Sequence, residues 1–188
     1  MTQEETLAIL RETGALLEGH FLLSSGLHSG FYFQCALALQ YPEKAELLAR
    51  GIAEKLPPTK FDGVISPAIG GIVIGQEVAR LLGVRAIFAE REDGKMTLRR
   101  GFSVKDGERF LVVEDVVTTG KSTKEVMELL KSKGGIPFLA ACIVNRSSEE
   151  NYLDIPLVSL VRVQVKNYPP GNCPLCERGV PIIKPGSR

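Results

Sequence analysis

From Gly63 to Val163 the sequence repeats one pattern: a short apolar run, a loop rich in glycine or hydroxyls, and a helical stretch. The apolar runs are Gly63-Val64-Ile65-Ser66, Val84 to Phe88, Arg109-Phe110-Leu111-Val112-Val113, Phe138 to Val144 and Leu157 to Val163. Strands separated by helices cannot pair as hairpins. The pattern therefore predicts an α/β fold with a mainly parallel five-stranded sheet flanked by helices. Ligands of such sheets bind beyond the carboxyl ends of the strands. Here those ends carry Pro67-Ala68-Ile69-Gly70-Gly71 and the hydroxyl-rich segment after Val117. With 188 residues, 44% of them hydrophobic, the chain suffices for a single domain, 1–188, with its own core.

Ahead of the repeat, Thr2 and Glu5 have the spacing of a capping box, and an amphipathic helix is expected to follow to about Leu17. Ser24 to Gly30 is turn-rich, and Phe31-Tyr32-Phe33 reads as extended. Pro42 opens a second helix with apolar residues at Ala45, Leu48, Ala49, Ile52, Ala53 and Leu56. Two segments stand outside the alternation. Residues 89–108 are charged and punctuated by glycine, a long connection of the kind that forms lids. Residues 167–188 contain five prolines and a C-x-x-C, and read as a tail or small cap.

The net charge of +1 recommends neither nucleic acid nor a membrane surface as partner. The one local cluster of positive charge is Lys95, Arg99 and Arg100. No apolar run approaches the ~20 residues that span a bilayer. The first residues do not read as a signal peptide. Cys35 and Cys142 lie in apolar segments and read as buried thiols, as in a reducing cytoplasm. Cys173 and Cys176 have half of a zinc-site pattern. No second C-x-x-C and no nearby histidine completes it, which leaves a site shared across a dimer, a disulfide, or two plain thiols.

The chemistry concentrates in Phe110 to Thr123. A buried strand brings Glu114 and Asp115 to its carboxyl end, and Val116, Val117, Thr118, Thr119 and Gly120 lead into a helix at Lys121 and Ser122. Backbone N–H groups at a helix start suit a phosphate dianion, with Thr119, Ser122 and Thr123 as further donors. The carboxylates suit sugar hydroxyls or a magnesium-bound substrate instead. A Walker A loop would need glycine five residues before Gly120, where Asp115 stands, and a carboxylate there repels polyphosphate.

An apolar strand, two acidic residues, two apolar residues and a threonine-rich loop with glycine resemble the phosphoribosyl pyrophosphate (PRPP) signature of type I phosphoribosyltransferases. Over almost its full length the chain resembles the orotate phosphoribosyltransferases among them. Phe21 to Ser29 with Phe31-Tyr32-Phe33 looks like that family's N-terminal segment over the orotate pocket. Ala68, Ile69, Gly70 and Gly71 look like its pyrophosphate loop, and Arg91-x-x-x-Lys95 like the start of its mobile catalytic loop, about 89–103. Arg146 follows the fourth strand, where the family places an arginine that contacts orotate. The tail from Cys173 resembles a branch typified by thermophilic bacteria.

The resemblance implies transfer of the phosphoribosyl group of PRPP to orotate, with Mg2+ accompanying PRPP, in a cytoplasmic homodimer with shared active sites. It implies a hood from residues 1–40 and from 167–188. Lys95, Arg91 and Asp115 are implied as catalytic, and Glu114 to Ser122 with Ala68 to Gly71 as the PRPP site. Thr118, Arg146, Ser25, Gly26 and Tyr32 are implied at the base. His28 reads as a solvated turn histidine. Arg99 and Arg100 extend the lid's field or bind acidic neighbours. Many members carry lysine at the positions of Ser24 and Gly70, and often histidine at that of Thr97. The competing readings are a purine phosphoribosyltransferase and a non-catalytic PRPP sensor.

Overall fold

The computed structural model describes residues 1–23, 25–147 and 153–185. Its main sheet contains β3 (Gly63–Pro67), β4 (Arg85–Glu92), β5 (Lys95–Leu98), β6 (Arg109–Val117), β7 (Ile136–Asn145) and β8 (Leu157–Arg162) in the order β5-β4-β3-β6-β7-β8. The five expected strands are parallel neighbours. A sixth, β5, was not expected: it pairs antiparallel with the outer edge of β4. Residues 89–98, expected within an irregular connection, are thus mostly a hairpin. Its two-residue turn is Asp93-Gly94, both with positive φ (51° and 79°), the conformation that twists with the flanking strands.

Each face of the sheet buries one apolar cluster. On one side Val64, Leu111, Val113, Leu139, Ala141 and Ile143 meet helices α3 (Pro42–Lys55) and α4 (Gly71–Leu82). On the other, Ile65, Phe110, Val112 and Ala140 meet α5 (Lys121–Ser132) through Val126, Met127 and Leu130. Alternating side chains of one strand supply both clusters, so β3 is buried throughout.

The N-terminal helix α1 (Gln3–Glu12) has the expected capping box at Thr2 and Glu5, but it stops well before Leu17. Gly14, at φ 70°, turns the chain out of the helix. The apolar residues that continue the helical pattern instead enter β1 (Leu16–Leu22). With β2 (His28–Phe33) and β9 (Asn167–Tyr168), β1 forms a separate antiparallel sheet in the order β1-β2-β9. The segment after β9 adds to this hood: the Leu22 N–H donates to the Ile183 carbonyl at 2.9 Å, and the Ile183 N–H to that of His20 at 2.8 Å. The remaining helices, α2 (Ala36–Leu39) and α6 (Pro174–Glu177), are single turns.

Candidate active site

Strand order dictates where a ligand can sit. From β3 the chain crosses through α4 to β4 on one side, whereas β6 lies on the other side of β3. The loops leaving β3 and β6 therefore diverge and open a crevice between them. They remain close at one point. A Cβ built on Gly70 would lie 2.7 Å from Asp115 Oδ1, and one on Gly71 would lie 2.9 Å from the Val113 carbonyl. Glycine lets the loop after β3 touch the end of strand β6, and a side chain at Gly70 requires Asp115 to move. That contact accounts locally for glycine at position 70, where the family resemblance led to an expected lysine. The other such position, Ser24, lies outside the described residues.

Strand β6 extends further than the sequence pattern indicated, so Glu114 and Asp115 lie within it, before its end at Val117. Both carboxyls are pushed up by burial, Glu114 to about 7. For Glu114 a hydrogen bond from Thr123 Oγ1 (2.8 Å) works against that rise, and the neighbouring Asp115 charge adds to it. Thr123 was expected to face phosphate. It is buried and serves Glu114 instead.

Beyond β6, Gly120 takes a left-handed conformation (φ 69°) and delivers the chain into α5. Glu114, Val116, Thr118, Thr119, Gly120, Lys121 and Ser122 line a small cavity of ≈ 50 Å³ there. Val117, expected in this set, has a buried side chain, and its carbonyl accepts the Arg146 N–H at 2.8 Å. In the loop after β3 the Ala68 N–H is engaged by the Ala89 carbonyl, whereas Ile69 is exposed.

A larger cavity of ≈ 480 Å³ lies between hood and sheet, and its lining includes Ser25, Tyr32, Thr118, Thr119 and Arg146. Thr118 and Thr119 line both cavities, so the two are adjacent. Gly26 forms the turn beside Ser25 at φ 80°. Arg146 packs 5.6 Å over the Phe33 ring, and its Nε is buried with no partner among the described residues. Burial lowers the guanidinium's pKa, yet arginine stays cationic at any physiological pH. A partly buried guanidinium on a residue that lines a cavity suits a carboxylate. Leu22, Leu23, Leu27, Asn167 and Pro185 also line this cavity and were missed as individual residues. Asn167 and Pro185 had no local signal, because only the tertiary wrap of the C-terminal segment brings them there.

The hairpin residues lie elsewhere. Arg91 pairs with Glu125 of α5 and donates to the Gly94 carbonyl at 3.0 Å. Lys95 lines a groove with Glu125, Glu128 and Leu129, and lines neither of the two cavities. Arg99 and Arg100 bind acidic neighbours, Glu92 at 3.5 Å and Glu90 at 2.7 Å. His28 is not solvated: only 7% of its surface is exposed, and it faces His20.

A doubly wound sheet with an acidic pair and a hydroxyl–glycine loop at its switch point matches what a phosphoribosyltransferase is expected to present. Residues 39–170 match the family model for the phosphoribosyl transferase domain, and the chain belongs to that family. It is 52% identical, over 100% of its length and 99% of the relative's, to an orotate phosphoribosyltransferase of Pelotomaculum thermopropionicum. The same identity and coverage hold for that of Caldanaerobacter subterraneus. Within the family it therefore falls among the orotate phosphoribosyltransferases. Among solved structures, orotate phosphoribosyltransferase from Aeropyrum pernix aligns over 84% of this chain and 93% of its own, at TM-score 0.68 and 27% identity. Leishmania donovani UMP synthase aligns at TM-score 0.72 and 25% identity, over 85% of this chain but 36% of that longer one. An adenine phosphoribosyltransferase from Thermoanaerobacter pseudethanolicus, at 18% identity and TM-score 0.63, shares the fold.

Proposed function

We propose that the chain joins orotate to PRPP in the cavity between hood and sheet, giving orotidine 5′-monophosphate and pyrophosphate. The observation that carries the assignment of the base is Arg146. It lines the cavity that also holds Thr118 and Thr119, and its buried Nε has no partner among the described residues. A carboxylated pyrimidine supplies an anion for this cation, whereas a purine base brings none. In the reaction the bond from C1′ to the pyrophosphate oxygen breaks, a ring nitrogen of orotate bonds to C1′, and the proton that nitrogen carried leaves to the pyrophosphate. The protein's task is to hold the two partners in line and to stabilise the charge that develops.

The backbone N–H groups from Thr119 to Ser122 take the 5′-phosphate, at the positive end of α5. Glu114 and Asp115 accept hydrogen bonds from the ribose hydroxyls and steady the cationic sugar. The Ala68–Gly71 loop holds the pyrophosphate, which arrives as its Mg2+ complex and so is substrate rather than resident metal. Lys95 and Arg91 neutralise the departing pyrophosphate. Within one chain they face Glu125, which favours a homodimer whose partner hairpin completes each site. A cytoplasmic location is consistent with the buried free thiols Cys35 and Cys142. Among the described residues no helix is long and apolar enough to cross a membrane.

The test is loss of orotate absorbance on mixing chain, Mg2+, PRPP and orotate, with hypoxanthine, adenine and uracil in parallel. Turnover with orotate alone, abolished in Lys95→Ala and strongly weakened in Arg146→Ala, is the expected result. Turnover with a purine instead overturns the base assignment. Tight PRPP binding without turnover of any base overturns the enzymatic reading in favour of a sensor.

A further inference from the structure

Four side chains in the hood, none of which lines either cavity, converge on one point. His20 comes from β1, His28 opens β2, and Cys173 and Cys176 flank the start of α6, some 150 residues later in the chain. The sequence contains no other histidine. One donor atom from each, Nε2 of His20, Nδ1 of His28 and the two sulfurs, lies within 4.8 Å of every other. His20, His28 and Cys173 are buried, and Cys176 closes the cluster from the exposed side.

The spacing has the dimensions of a coordination sphere. A tetrahedral zinc with two imidazoles and two thiolates requires about 3.3 Å between nitrogens, about 3.6 Å from nitrogen to sulfur and about 3.8 Å between sulfurs, from the usual bond lengths. Here His20 Nε2 and His28 Nδ1 are 2.9 Å apart, and Cys176 Sγ is 3.3 Å from His28 Nδ1. Cys173 and Cys176 Sγ are 3.6 and 3.7 Å from His20 Nε2. The second ring nitrogen of His20 is spoken for: Nδ1 lies 2.7 Å from the Val180 carbonyl, to which it donates. That bond leaves the lone pair on Nε2, aimed into the cluster, as the outer partner of a metal-bound histidine does. Two soft sulfurs and two imidazoles in a closed tetrahedron select zinc, and two thiolates neutralise the dication.

We propose that His20, His28, Cys173 and Cys176 bind one structural Zn2+, which fastens the C-terminal segment to the β1–β2 hairpin. The C-x-x-C is then completed within one chain by histidines distant in sequence. Binding releases the two thiol protons, and four protein ligands leave no coordination position for water.

The full chain, expressed without chelator, dialysed against Zn2+ and freed of unbound ion, is assayed for metal by mass spectrometry. One zinc per chain is expected, with two nitrogen and two sulfur neighbours by X-ray absorption. Co2+ in its place should show a sulfur-to-metal charge-transfer band, weakened in Cys176→Ser, whose altered side chain lies at the open side of the cluster and leaves three ligands. His20→Ala and Cys173→Ser should lose the metal and melt at lower temperature. A soluble chain that takes up no Zn2+ and gives no such Co2+ band overturns the proposal. So does full zinc retention by the Cys173→Ser/Cys176→Ser double variant, or a Cys173–Cys176 disulfide found by mass in the native chain. None of these readouts depends on orotate turnover.

Discussion

Glu114 is held in a setting that favours its neutral form, and this has a measurable consequence. Its pKa is pushed to about 7 from an ordinary 4.5, so the folded chain binds a proton more tightly than the unfolded one. Its contribution to stability is therefore fully present below pH 4.5 and lost as pH rises through about 7. Glu114→Gln keeps an acceptor for Thr123 and removes the charge. Thermal melts should show the variant gaining on the parent between pH 5 and 8, by on the order of 3 kcal/mol at most. A difference that does not vary with pH would mean the carboxyl titrates normally. Gly70→Ala probes the loop contact, because its Cβ would meet Asp115 Oδ1 at 2.7 Å. The expected result is a KM for PRPP raised about tenfold or more, equivalent to about 1.4 kcal/mol, with little change in Tm. At this scale the sequence carried the acidic pair and the hydroxyl loop, because their order along one segment is itself the signal. It did not carry the Thr123–Glu114 bond, the Gly70–Asp115 contact or the pairing of His20 with Cys173. Each of these arises only when separate elements are packed together.

Among the elements, the β4–β5 hairpin differs most from expectation. Charge and glycine along residues 89–108 suggested an irregular lid; the Asp93-Gly94 dipeptide was the available hairpin signal, but its flanks, Glu90-Arg91-Glu92 and Lys95-Met96, are mostly charged rather than strand-forming. The end of α1 was misplaced for a related reason. Leu16 and Leu17 fit a helical stripe, but Gly14 ends the helical run and the hood takes those residues as strand. The parallel strands were legible because buried strands read as uninterrupted apolar runs. The hairpin rests on α5 partly through the Arg91–Glu125 pair, in which both side chains are partly solvated. Such pairs contribute roughly 0.2–1 kcal/mol, so the contact can be released cheaply. If Arg91 must leave Glu125 to meet pyrophosphate, Glu125→Gln should raise kcat/KM for PRPP by about 1.5- to 5-fold, the same energy expressed as a rate. Steady-state kinetics at low salt would detect it, and a fall would mean that the pair belongs to the working conformation.

For the whole molecule, the proposed sharing of active sites makes a quantitative prediction. On that reading Lys95→Ala and Arg146→Ala disable different parts of one site. If the site draws Lys95 from one chain and Arg146 from the other, a 1:1 mixture allowed to exchange subunits should recover about a quarter of the parental activity, since half the dimers are mixed and each has one intact site. A mixture that stays inactive would mean each chain is self-sufficient. The hood has a different consequence. Its first two strands lie among the first forty residues, yet β9, the Cys173–Cys176 turn and the Ile183 bridge that complete it come after residue 166. During synthesis the whole main sheet leaves the ribosome before the hood can close. A nascent chain thus acquires its sheet and the proposed phosphate loop early and the proposed base pocket last, and β1 and β2 must wait with an unpaired edge until their partner is made. Cellular factors that shield exposed strand edges will matter most to this chain in that interval.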